Sequence, residues 1–254
     1  MIVLSKTGYD HLDLGKNRQD IAFVTGNGKI LFGDEKKFDF NETLCMMENP
    51  IKFVLDGCSS SYHSEVGVAL FAQYFAEQSY DSAGKNFDFE ASFMTTMSRL
   101  AHCVIDSDKF RFDNLCFTVL ACFETETDFI VKYCGDGFII AITQYGKIEI
   151  IQLNDAVLRE DGEYPTYPIY QYIRDQKSLL LEHRKGVELK TSIFPKKLYS
   201  GVGIATDGWR YIDRLDTIER IRWDENILAD KTGNLSKIVN KNILKFRDDI
   251  SVCI

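Results

Sequence analysis

The chain has 254 residues, with 38 Asp plus Glu against 30 Lys plus Arg and a formal net charge of −8. Apolar residues make up 45% and charged residues 27%, a globular balance that excludes disorder, collagen-like repeats and coiled coils. The acidity, the lack of a basic patch and the lack of a bilayer-length apolar run argue against nucleic acid and membrane as partners.

Met1–Ser5 has neither a basic lead nor a small-residue cleavage site, so no secretory signal is expected. Strands are expected at Ile21–Val24, Ile51–Leu55, Leu115–Phe123, Phe129–Tyr133, Phe138–Thr143, Ile148–Leu153, Gly201–Thr206 and Ile250–Ile254, where short β-type runs lie between turn signals. Asn27-Gly28 and Tyr145-Gly146 read as hairpin turns, and Glu124–Asp128 as a solvated hairpin tip. The stretch from Leu115 to Leu153 reads as an antiparallel meander. Helices are expected at Ser64–Gln78, behind a Ser cap, at Asn86–Ile105 and at Asn234–Phe246. Gly33–Pro50 reads as a surface insertion, and Asp155–Asp175, with two prolines and four tyrosines, as a long loop or flap. Strands interrupted by long helices imply a layered sandwich rather than a doubly wound sheet. No linker divides residues 1–254, so one domain is expected.

The seven cysteines are scattered, lack a C-x-x-C pair and sit mostly in apolar strings. Buried, reduced thiols and a cytoplasmic location are expected. The same spacing, with only four histidines, disfavours zinc.

Four segments share one design, an Asp at the end of a β-type run: Arg18-Gln19-Asp20, Val54-Leu55-Asp56-Gly57, Cys134-Gly135-Asp136-Gly137 and Ala205-Thr206-Asp207-Gly208. A fifth, Arg247-Asp248-Asp249-Ile250, opens the last strand. A strand end puts a carboxylate at the rim of a sheet, and a following Gly lets backbone and ligand approach. Any one Asp-Gly is an ordinary turn; three, each after an apolar strand, suggest a gathering. Gathered carboxylates repel one another unless hard cations lie between them, and oxygen-only ligation suits Mg²⁺ or Mn²⁺. A pair of such ions about 3.5–4 Å apart can activate water for in-line attack on phosphorus.

In order and context these segments resemble the metal-dependent serine/threonine phosphatases of the 2C type (the PPM family), over essentially the whole chain. Gly8-Tyr9-Asp10-His11, Gly15 and Gln19-Asp20 look like the opening motif of a bacterial branch. Asp56-Gly57-Cys58-Ser59-Ser60 with Ser64-Glu65-Val66-Gly67 is similar to its second motif, and Gly135-Asp136-Gly137, Ala205-Thr206-Asp207-Gly208 and Asp248-Asp249-Ile250-Ser251 follow in the family's order. The resemblance implies an α+β fold, a four-layer αββα sandwich with two central mainly antiparallel sheets flanked by helices, as a stand-alone catalytic domain. It implies that Asp56 bridges two Mg²⁺ or Mn²⁺ ions, that the Gly57 carbonyl joins one, that Asp207 and Asp248 complete the other, and that Asp20 lies close by. Asp136 would belong to a third, weaker metal position. Water between the two ions would hydrolyse a phosphoserine or phosphothreonine ester on a protein, with a cognate serine/threonine kinase or its target as partner.

The chain departs from the family's pattern at three places. Gly15 stands where many members have a phosphate-binding Arg, leaving Lys16 or Arg18 to supply that charge. Cys58 stands where others have a His, and Gln19 where an acid is frequent. These departures motivate an alternative, a phosphatase-fold regulatory module that binds metal or a phosphorylated partner with little turnover. Hydrolysis of a small phosphorylated metabolite is a third reading. His11 reads first as a structural or surface residue, ahead of a role in orienting an active-site group, and His63 equally as an exposed turn residue or as a support behind the metal ligands. Cys58, Trp209 and the Tyr164–Tyr172 aromatics read as packing.

Overall fold

The computed structural model describes residues 1–26, 28–33, 47, 50–59, 61–81, 88–103, 107–159, 162–173 and 188–254. The expected insertion at Gly33–Pro50 lies almost wholly outside these residues, as do Asn27 and the ends of the expected helix Asn86–Ile105.

In chain order the elements are β1 (Val3–Lys6), α1 (Tyr9–Asp13), β2 (Ile21–Gly26), β3 (Lys29–Phe32), β4 (Ile51–Gly57), α2 (Ser64–Asp81), α3 (Phe89–His102), α4 (Asp108–Asn114), β5 (Phe117–Glu124), β6 (Asp128–Cys134), β7 (Gly137–Thr143) and β8 (Ile148–Leu153). They continue with β9 (Ala156–Arg159), β10 (Gly162–Pro165), β11 (Lys190–Pro195), β12 (Tyr199–Ala205), α5 (Thr217–Leu228), α6 (Thr232–Lys241) and β13 (Ile250–Cys253). Among the described residues these strands form a five-stranded sheet, β1-β13-β12-β7-β8, a six-stranded sheet, β11-β6-β5-β4-β2-β3, and the separate hairpin β9–β10. All the described pairings are antiparallel.

The continuous apolar runs arise because both faces of both sheets are covered, so side chains alternate between two cores rather than between core and water. Phe53 and Leu55 of β4 and Val119 and Ala121 of β5 point to a core shared with Phe71, Phe75, Phe93 and Met97 of α2 and α3. Their neighbours Val54, Leu120 and Cys122 face Ile139, Ala141, Val202 and Ile204 of the other sheet. Ile140 and Val252 face outward again, against Trp223, Ile227, Leu235 and Val239 of α5 and α6. The result is the four-layer αββα sandwich. Side-chain caps fix three helix starts: Asp88 accepts from Ala91 N at 3.1 Å, Ser107 from Phe110 N at 3.4 Å and Asp216 from Glu219 N at 2.9 Å.

Three expectations need correction. Residues 115–153 are not one meander: β5–β6 belong to the six-stranded sheet and β7–β8 to the five-stranded one. The chain changes sheets at Gly135 (φ 101°) and Gly137 (φ 140°), backbone angles that side-chain-bearing residues rarely adopt. Nor are the described residues of Asp155–Asp175 a flap. Their first half is the β9–β10 hairpin, and Tyr167, Ile169 and Tyr170 are buried in the core under α2 and α3. The last expected helix is shorter, since α6 ends at Lys241 and a 3-10 turn, Ile243–Lys245, follows. Among the described residues no helix is long and apolar enough to cross a membrane.

Candidate active site

Strand register brings the five aspartates to one rim of the sandwich. Ile21 of β2 pairs with Leu55 of β4, which sets Asp20 beside Asp56. Phe138 of β7 pairs with Ala205 of β12, which sets the Gly135–Gly137 turn beside Asp207. Ala205 also pairs with Val252 of β13, so Asp248 arrives at the same edge. The two sheets are joined there by Thr206, whose Oγ1 accepts from Ser251 N at 3.1 Å and whose hydroxyl contacts Asp20. The glycines after these aspartates allow the approach: a Cβ on Gly208 would lie 1.8 Å from the Asp249 carbonyl oxygen. Gly57 ends β4, buried opposite Phe117.

Electrostatically the rim is a set of like charges taken out of water. Burial first, then the negative charges of Asp249 and Asp248, push the Asp20 carboxyl well above the usual carboxylate range, against a stabilising hydrogen bond from Thr206. Asp56 is raised in the same way, by burial and then by Asp20, Asp136 and Asp248. Asp20 and Asp56 lie against each other, a like-charge contact that a cation or a proton between them would relieve. Asp136 is raised chiefly by burial, while the Arg210 guanidinium pulls it down. Asp207 pairs with Arg210, and Asp248 is 38% exposed at the lip.

Four groups beyond the expected metal ligands hold this rim together. The Asp249 carboxylate is fully buried and accepts from Gly8 N at 2.8 Å, Gln19 N at 2.7 Å and Asp20 N at 3.4 Å. His11, buried rather than on the surface, has Nδ1 2.9 Å from Asp249 Oδ1 and Nε2 3.8 Å from Asp248 Oδ1. Contact with Asp249 holds its imidazolium form above the usual range, against burial. Asp155 Oδ2 accepts from Gly135 N at 3.1 Å and Oδ1 binds Lys190 at 2.6 Å, fixing the turn that carries Asp136. Arg210 is the fourth. The doublet Asp248-Asp249 was the one visible signal, since a single metal ligand does not explain a second acid.

Residues 45–237 match the family model described as protein phosphatase 2C. The chain belongs to the protein phosphatase 2C family. Its fold is that of bacterial serine/threonine phosphatases of this family. Stp1 from Staphylococcus aureus superposes with a TM-score of 0.60 at 11% identity, covering 98% of this chain and 91% of that one. The S. agalactiae serine/threonine phosphatase gives 0.55 at 13%, covering 99% and 96%. The catalytic domain of PstP, solved in complex with two manganese ions, gives 0.55 at 13%, covering 98% and 94%. No curated protein sequence matches the chain.

For a protein phosphatase 2C site the donors here are right in kind. They are oxygen-only, and Gln19 Oε1 and Thr118 Oγ1, beside Asp20 and opposite Asp56, are buried without a hydrogen-bond partner. They are incomplete in spacing: among the described residues no three His, Cys, Asp or Glu side chains stand close enough to hold one metal ion, and Asp207 is turned to Arg210. Of the two candidate phosphate-binding cations, Lys16 is exposed at the lip, with Nζ 3.5 Å from the Ser59 carbonyl, and Arg18 is half-buried just before Asp20. Cys58 is partly buried against Tyr167, with which it hydrogen-bonds. His63 is 64% exposed, and Trp209 packs edge-on against Trp223 at 5.7 Å, so packing and surface roles hold for both.

Proposed function

We propose that this protein phosphatase 2C chain hydrolyses phosphoserine and phosphothreonine esters on proteins at the aspartate rim, using Mg²⁺ or Mn²⁺. The observation that carries the reading is the mutual repulsion of Asp20, Asp56, Asp136 and Asp248 at one edge, a charge arrangement that divalent cations would relieve. Asp56 would bridge two ions with the Gly57 carbonyl on one, Asp207 and Asp248 would serve the other, Asp20 would stand beside them, and Asp136 would serve a third position. Such ions supply Lewis acidity toward the phosphoryl oxygens and a water of lowered pKa.

The chain's own residues do the rest. Asp249 and His11 hold the Gly8–Asp20 segment against the start of β13, which fixes Asp20 and Asp248 relative to each other. Lys16 overhangs the Gly57–Ser59 turn and is the cation best exposed to meet a substrate phosphate, with Arg18 behind it. The partner would be a serine/threonine kinase or its target, in the reducing cytoplasm that reduced thiols at Cys58, Cys103, Cys116, Cys122, Cys134 and Cys253 fit.

The experiment is hydrolysis of a phosphothreonine peptide with Mn²⁺ by the wild-type chain and Asp56→Asn. The reading expects metal-dependent turnover by the wild type, abolished by EDTA, and its loss in a folded Asp56→Asn protein. Phosphopeptide binding without turnover at saturating Mn²⁺ would instead establish a regulatory binding module.

A further inference from the structure

The chain leaves β12 through a 3-10 helix, Asp207–Arg214. With three residues per turn, such a helix eclipses side chains three apart, so Asp207, Arg210 and Asp213 stand in one row. The Arg210 guanidinium pairs with the Asp207 carboxylate, and its Nε also donates to the Asp207 carbonyl at 3.1 Å. One turn on, Asp213 is 83% exposed and accepts from Arg220 at 2.7 Å. These four residues, with Asp136, line a cavity of about 310 Å³ beside the rim.

The proposed function gives Asp207 to a divalent ion, yet the carboxylate is already neutralised by a cation three residues away on its own helix. A guanidinium and a divalent ion on one carboxylate would repel each other at contact distance. We propose that Arg210 is a tethered counter-cation that competes with the divalent ion for Asp207 and moves along the row toward Asp213 when the ion binds. Asp213 is one turn away, carries the needed charge and has the exposure to accept a second cation. The inference rests on the two-metal reading, and it makes occupancy of the Asp207 position weaker than the carboxylates alone would give.

Calorimetric titration of Mn²⁺ into the wild type, Arg210→Gln and Arg220→Gln at fixed ionic strength tests it. Arg210 is more than half exposed, so its replacement leaves the core untouched; melting curves check this. Arg210→Gln is expected to bind the ion roughly fivefold more tightly, the scale of an exposed ion pair. Arg220→Gln removes the same charge from the same cavity without touching Asp207 and frees Asp213 for Arg210, and is expected to gain less than Arg210→Gln. Unchanged or weaker binding by Arg210→Gln would overturn the proposal, as would an equal gain in both variants, which would be the work of the general field. Mn²⁺ binding by all three proteins with equal affinity therefore removes the Arg210 role alone. Absence of binding in all three removes the metal reading with it.

Discussion

Asp56 is placed where its charge is unwelcome without a cation: burial and the charges of Asp20, Asp136 and Asp248 all raise its carboxyl. Asp56→Asn should therefore stabilise the metal-free protein by about 1–3 kcal/mol near neutral pH while abolishing turnover, the usual opposition of stability and function at a strained site. The pH dependence follows from the sign of the shift. The folded carboxyl binds its proton more tightly than the unfolded one, so wild-type stability falls as pH rises from about 4, the unfolded value, through the raised folded value. The advantage of Asp56→Asn should accordingly vanish below about pH 4 and grow above it, as urea denaturation across that range would measure. An advantage independent of pH would contradict this origin. Asp249 is the opposite case, a buried carboxylate with its donors in place. Asp249→Ala strands Gly8 N, Gln19 N and His11, and is expected to cost about 3–5 kcal/mol in urea denaturation, whereas a loss under about 1 kcal/mol would show that the N-terminal segment is held elsewhere.

At the scale of elements, the rim depends on backbones that touch. The helix carrying Asp207 and the start of β13 are so close at Gly208 that a Cβ would overlap the Asp249 carbonyl oxygen. Gly208→Ala should lower stability by about 1–3 kcal/mol or more and weaken Mn²⁺ binding together, read by melting curves and calorimetry; a melting temperature unchanged from the wild type would contradict that packing. The same closeness explains what the sequence could and could not disclose. The central strands were legible because β4 and β5 are apolar through most of their length, and α3 because Phe89, Phe93 and Met97 recur at helical spacing. The helix α2 was legible from Val66, Ala69, Leu70 and Tyr74, but the face it buries is the neighbouring one, Val68, Phe71, Ala72 and Phe75. The strands β1, β9, β10 and β11 were not, being short or mixed in composition, and β1 and β11 also pair with partners far away in sequence. Of the site, the aspartates showed themselves through the following glycines. The bonds of Asp249 to Gly8, Gln19 and His11 span about 230 residues or more of chain and leave no local pattern. The 3-10 turn after Asp207 was equally hidden, since only its three-residue pitch puts Arg210 over that carboxylate.

At the scale of the whole molecule, the excess of eight negative charges now divides in two. Asp20, Asp56, Asp136, Asp207 and Asp248 are confined to one rim, and most of the remaining acids among the described residues lie on the surface, many in ion pairs. A ligand bound only by the folded state stabilises it by about 2.7 kcal/mol at a hundredfold excess over Kd. For a chain of this length that amounts to a rise in melting temperature of roughly 5–10 °C with saturating Mn²⁺, reversed by EDTA. The central claim, that this rim is a divalent-cation site, is tested most directly by a crystal structure soaked in Mn²⁺ with anomalous scattering data. The account predicts paired manganese peaks at the rim with Asp56 between them and with Asp207 and Asp248 as ligands, the Asp207 carboxylate freed from Arg210. Saturating Mn²⁺ with no anomalous peak among these aspartates would contradict it.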